Sequence, residues 1–118
     1  MKLKIICFDI DNVICRTNSK KDYAKSTPIK KNIKLINKIY NKGYKVTLYT
    51  ARFMGRCDGN LTKVKKKIEP LTLKQLKRWG VKYHKIYFGK PSFDIFIDDK
   101  SLFFTKKWPE LLEKKLNI

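Results

Sequence analysis

Leu3-Lys4-Ile5-Ile6-Cys7-Phe8-Asp9-Ile10-Asp11 is an apolar run, broken only by Lys4, that stops at a pair of carboxylates. Its length and near-continuous apolar character predict a buried strand of a parallel sheet. Other segments repeat the pattern. Residues 45–49 (KVTLY) stop at Thr50, residues 85–88 make a third short run, and residues 95–97 enter Asp98-Asp99.

Helical spacing fills the intervals. Ile29, Ile33, Ile36 and Tyr40 predict a helix with Thr27 as cap, Pro28 at its first position and Gly43 at its end. Leu61, Val64 and Ile68 predict a short basic helix closed by Pro70. Leu73, Leu76 and Trp79 predict another, ended by Gly80, and Trp108, Leu111, Leu112 and Leu116 a last one. Residues 16–27 and 53–60 read as loops.

Strands alternating with helices imply an α/β fold: a three-layer, Rossmann-like parallel sheet with right-handed crossovers and helices on both faces. Ligands of such sheets bind beyond the carboxyl ends of the strands. Asp9, Thr50 and Asp98 stand at three such ends, so one site is expected where they meet. One connection does not fit. Only five residues, 89–93, separate Phe88 from Asp94, whereas a parallel crossover needs a dozen or more.

The 118 residues suffice for one domain, residues 1–118, and 42% hydrophobic content suffices for its core. No apolar run approaches the roughly 20 residues of a membrane span. The first residues do not read as a signal peptide, so a cytoplasmic protein is expected, with no membrane partner. Cys7, Cys15 and Cys57 form no CxxC pair, which fits a reducing compartment and argues against a thiolate zinc site. Cys57 lies in a loop near the expected site.

The net charge of +19 points to anionic partners. Against that background the acids are clustered: Asp9, Asp11, Asp94, Asp98 and Asp99 are half of the ten carboxylates. Gathered at one edge they repel one another, a penalty that a hard divalent cation removes. Mg²⁺ suits such a set, because it takes one or two carboxylates, waters and phosphate oxygens. His84 is the one histidine and reads as a polar residue before a strand. Carboxylates, Mg²⁺ and the Thr50 hydroxyl together suggest phosphoryl transfer to aspartate. Asp9 would attack, Thr50 and a lysine would bind phosphoryl oxygens, and Asp11 would move the proton.

Cys7-Phe8-Asp9-Ile10-Asp11-Asn12-Val13 resembles the hhDxDx(T/V) signature of the haloacid-dehalogenase-like (HAD) superfamily. Thr50 is similar to its second motif, Lys90 to its third and Ile97-Asp98-Asp99 to its fourth, in the family's order. The resemblance implies a HAD-like phosphatase with Asp9 as nucleophile and Mg²⁺ ligand. It implies that Asp11 is acid/base and a ligand through its carbonyl, that Asp98 is a ligand, and that Asp99 ligates or holds a metal-bound water. Lys90 would contact phosphate, with Lys100 as the alternative. Asp11 further implies phosphate ester hydrolysis, since dehalogenases and phosphonatases of the family lack the second aspartate.

No interval has room for a cap domain, and capless members act on bulky substrates or borrow a neighbouring subunit, in a homo-oligomer, as a lid. Thr50-Ala51-Arg52, residues 54–61, Phe88-Gly89-Lys90-Pro91-Ser92 and residues 97–100 resemble small phosphatases of capsule polysaccharide biosynthesis. A phosphorylated sugar, bound by Thr50, Ala51, Arg52, Arg56 and Lys90, is the substrate this implies. Two other readings remain: a phosphatase of nucleic-acid phosphate ends, and a non-catalytic basic nucleic-acid-binding module. Clustered carboxylates and the lack of aromatics interleaved with Lys/Arg argue against the module.

Overall fold

The computed structural model describes residues 4–118; Leu3, expected to open the first strand, lies outside them. Strands β1 (Ile5–Asp9), β4 (Lys45–Thr50) and β5 (Lys85–Phe88) form a parallel sheet in the order β1-β4-β5. Between them, β2 (Cys15–Arg16) and β3 (Thr27–Pro28) make a two-residue antiparallel pair. Helices α1 (Lys30–Asn41), α2 (Leu61–Arg78) and α3 (Trp108–Leu116) complete the fold. Ile5 pairs with Lys45 and Asp9 with Tyr49, while Thr50 pairs with Phe88. The register therefore brings Asp9, Thr50 and Phe88 to one sheet edge.

Alternation decides which face is covered. Phe8, Val46, Leu48 and Thr50 are buried, and their face packs against Ile33, Ile36 and Ile39 of α1, Leu76 of α2 and Trp108, Leu112 and Leu116 of α3. Right-handed crossovers from β1 to β4 and from β4 to β5 put α1 and α2 on the same side. The sheet's other face, where the expected sandwich has its second layer, presents Ile5, Cys7, Lys45, Lys85 and Tyr87 to solvent.

Several expectations are corrected. Pro28 does not begin α1: Thr27 and Pro28 pair with Arg16 and Cys15, and Ile29 takes the cap position. Pro70 does not divide two helices but lies inside α2. An interior proline costs about 3 kcal/mol. Here Val64, Ile68, Thr72, Gln75 and Leu76 form one continuous buried stripe across it, which offsets that cost. Leu111 is exposed rather than on the buried face of α3.

The fourth strand is the largest correction. Residues 95–97 form no strand, and every residue from 91 to 104 is exposed. Among the described residues, β1 pairs with β4 and its other edge is open. The five residues of the 89–93 link are too few to carry residues 95–97 across the sheet to that edge.

Candidate active site

β1 delivers Asp9 to the edge, and the chain then turns sharply. Ile10 O accepts from Ile14 N (2.8 Å), and Asn12 sits at φ 67, a conformation that asparagine tolerates. This turn holds Asp9 and Asp11 at a pocket also lined by Asn12, Thr17, Tyr23, Ala51, Arg52, Phe53, Arg56, Lys90 and Phe93. Its volume is about 710 Å³.

Asp9 is a carboxylate with two partners. Its Oδ1 accepts the N–H of Ile10 (2.8 Å) and its Oδ2 accepts from Lys90 Nζ (3.1 Å). Burial nevertheless pushes its pKa above the ordinary 3.8, the Lys90 charge recovering only part of the cost. Lys90 reaches Asp9 despite the short link, because its own N–H bonds Thr50 O (3.1 Å) and fastens it to the end of β4. Gly89 makes that turn at φ +96, and a side chain there would meet Leu61 at 3.0 Å.

Asp11 is bound differently. Arg52 Nε donates to both of its oxygens (3.2 and 3.1 Å), Arg52 Nη2 to Oδ1 (2.9 Å), and the Thr17 hydroxyl to Oδ1 (2.6 Å). Arg52 itself is 1% exposed. Its Nη1 donates to Thr72 and Gln75, and Nη2 also meets Cys15 Sγ. All five guanidinium N–H groups are thereby used inside the protein. Arg52, expected to contact substrate, lines the pocket and spends these donors on Asp11, Thr72, Gln75 and Cys15.

The Thr50 side chain, expected to bind a phosphoryl oxygen, is turned inward. It is fully buried, and its Oγ1 accepts the N–H of Arg52 (3.1 Å), fixing the turn that aims Arg52 inward. Arg56 does stand at the pocket mouth, over the Phe53 ring (4.7 Å), donating to the carbonyls of Lys20 and Lys21. Asp98 and Asp99 are exposed in a turn, with Asp98 Oδ1 accepting from Lys100 N (3.3 Å). They do not line the pocket, and neither does Lys100. Among the described residues, no group of three or more His, Cys, Asp or Glu side chains converges as a metal site would. The expected four-aspartate cluster is thus split, Asp9 and Asp11 on one side and Asp98 and Asp99 on the other.

Some pocket residues gave little sequence signal. Tyr23 is buried under Arg52 (4.8 Å to the ring centre), in a stretch that reads as a polar loop. Burial and the Asp11 charge push its pKa up. Its being the only aromatic between residues 16 and 27 was the available clue. Thr72 and Gln75, polar positions on the buried stripe of α2, were another. Cys57 packs beside Tyr23, Val64 and Ile68. Cys15 is buried, and desolvation with the Asp11 charge raises its thiol pKa.

Solved structures share this architecture. A structural-genomics target from Vibrio cholerae superposes with a TM-score of 0.79 at 24% identity, over 96% of this chain and 99% of that one. The D,D-heptose bisphosphate phosphatase from B. bronchiseptica, complexed with magnesium and phosphate, gives 0.53 at 16% identity, over 98% of this chain and 65% of that one. A chain of the Pnkp1/Rnl/Hen1 RNA repair complex gives 0.54 at 13% identity, over 97% of this chain and 32% of that one. The fold is HAD-like. No protein-family model matches this chain, and no curated protein does. Among the described residues, no helix is long and apolar enough to cross a membrane.

Proposed function

We propose that this chain is a phosphatase that hydrolyses a phosphate monoester through a phosphoryl group carried on Asp9. One observation carries the reading: the Asp9 carboxylate, at the mouth of a strand-end pocket, pairs with Lys90 Nζ at 3.1 Å, with Asp11 two residues on. The likeness to a phosphatase solved with magnesium and phosphate supports it.

Burial leaves the Asp9 charge only partly compensated, which fits a cation beside it. Asp9, with the carbonyl of Asp11, would hold Mg²⁺, and the metal would supply charge neutralisation at the phosphoryl oxygens. Asp9 attacks phosphorus, the ester P–O bond breaks, and the leaving oxygen takes a proton from Asp11. Water then attacks the phosphoaspartate, giving its proton to Asp11 and freeing Asp9 and phosphate. Lys90 transfers its contact from Asp9 to a phosphoryl oxygen as substrate enters. The proton steps require Asp11 to turn from Arg52 toward the pocket.

Phosphorylated sugars or capsule polysaccharide precursors are the proposed substrates, handled in the cytoplasm. The charge of +19 and the likeness to a chain of an RNA repair complex favour nucleic-acid phosphate ends as the second reading. With p-nitrophenyl phosphate, Mg²⁺-dependent release of phosphate is expected, lost in EDTA and reduced at least about 10³-fold in Asp9→Asn. Undiminished turnover by Asp9→Asn overturns the mechanism. A panel of sugar phosphates and 3′- or 5′-phosphorylated oligonucleotides then separates the two substrate classes.

A further inference from the structure

The open edge of β1 and the exposed stretch 91–104 are two halves of one unmade contact. Ile95, Ile97 and Phe103 are 79%, 91% and 80% exposed, and Phe93 and Phe96 stack on each other rather than on the core. The chain leaves the body at Lys90, held to Thr50, and returns at Trp108, packed on Phe8. What lies between is an arm.

Docked on its own β1, the arm would have to run parallel to it, with Asp98 beside Asp9. From Lys90 to Ile95 there are five Cα steps, reaching at most about 17 Å. The displacement needed is three strand spacings sideways, from β5 past β4 and β1, and at least three residues backward, about 17 Å in a straight line through the sheet. That takes the whole reach before the chain has cleared the side chains on the sheet's face, and Pro91 stiffens the start. A second copy of the chain has no such limit. Charge favours the same occupant: residues 93–104 carry three Asp and one Lys, in a chain whose net charge is +19.

We propose that two copies of this chain exchange their arms, residues 95–97 of each pairing in parallel with β1 of the other. Asp98 and Asp99 of each copy then stand beside Asp9 and Asp11 of its partner. The active site is completed between subunits. The exchange covers the apolar arm and the bare strand edge together, and it gives the site the carboxylates missing from it within one chain. Its catalytic consequence rests on the phosphatase reading above; the exchange itself does not.

Pairing Asp98 with Asp9 places Phe96 beside Cys7, which is exposed on β1. In a Cys57→Ser background, Phe96→Cys treated with a short bis-maleimide is expected to give an adduct of twice the 14.0 kDa chain mass, abolished by Cys7→Ser. An adduct of single-chain mass, or a species that sediments as a monomer without adduct, overturns the exchange. Co-expression of Asp9→Asn with an Asp98→Asn, Asp99→Asn chain tests the shared site. Each alone is inactive, and random pairing restores about a quarter of wild-type activity. No recovery in an enzyme whose wild type is active overturns the sharing of the site. An inert wild type with the doubled adduct removes the phosphatase reading and leaves the exchange standing.

Discussion

Asp9 and Asp11 are two residues apart and meet opposite electrostatic conditions. Asp11 is enclosed by a guanidinium and a hydroxyl; Asp9 has one lysine and a burial cost larger than that lysine returns. This has a consequence for stability. Well below its ordinary value of 3.8, Asp9 is protonated in folded and unfolded chains alike. As pH rises through its raised folded value, the buried charge has to be made, and stability is lost. Asp9→Asn escapes that loss. In EDTA, the Tm of the variant relative to wild type is expected to rise between pH 4 and pH 7. Mg²⁺ should act oppositely, stabilising wild type by about 2.7 kcal/mol at 100 times its Kd and leaving the variant unmoved. A Tm difference that stays flat with pH removes the burial cost from the account.

At the scale of elements, Lys90 depends on a turn rather than on a helix. Gly89, at positive φ and against Leu61, lets the chain fold back so that the Lys90 N–H meets Thr50. Gly89→Ala is expected to lower kcat/KM about tenfold or more with p-nitrophenyl phosphate, while the far-UV spectrum holds. An unchanged kcat/KM shows that Lys90 is placed by other contacts.

β1, β4, β5, α1 and α3 were legible, and α2 as two halves, because apolar runs ending in Asp9 and Thr50 and 3.6-residue stripes are local signals. Pro70 misled, because a proline is a local signal too, and the stripe running past it becomes decisive only once the helix packs. Arg52 was legible as a residue of the site, but its partners were not. Its partners Asp11, Thr72 and Gln75 lie 41, 20 and 23 residues away, and no short-range pattern reports such a closure. Residues 95–97 look like a strand in sequence, but whether they find an edge depends on chain length between elements. The five residues at 89–93 carried that information.

The charge of the whole molecule acts on encounter rather than on chemistry. Lys21, Arg56 and Lys90 line the pocket within a chain of net charge +19, and a positive field of that size draws anions inward before any specific contact forms. Screening shortens its reach from about 14 Å at 0.05 M salt to about 4 Å at 0.5 M. Raising salt across that range is expected to lower kcat/KM for a phosphate monoester about tenfold and to leave kcat unchanged. An unphosphorylated oligonucleotide should inhibit at the low salt and release the enzyme at the high, because its affinity comes from phosphate charge alone. If phosphorylated ends are the true substrate, their kcat/KM should stay above that of a sugar phosphate even at 0.5 M, where steering is gone and only pocket contacts discriminate. If the advantage vanishes with the field, the basic surface gathers polyanions without reading them, and selection among substrates falls to Tyr23, Phe53, Arg56 and Lys90 around the phosphate.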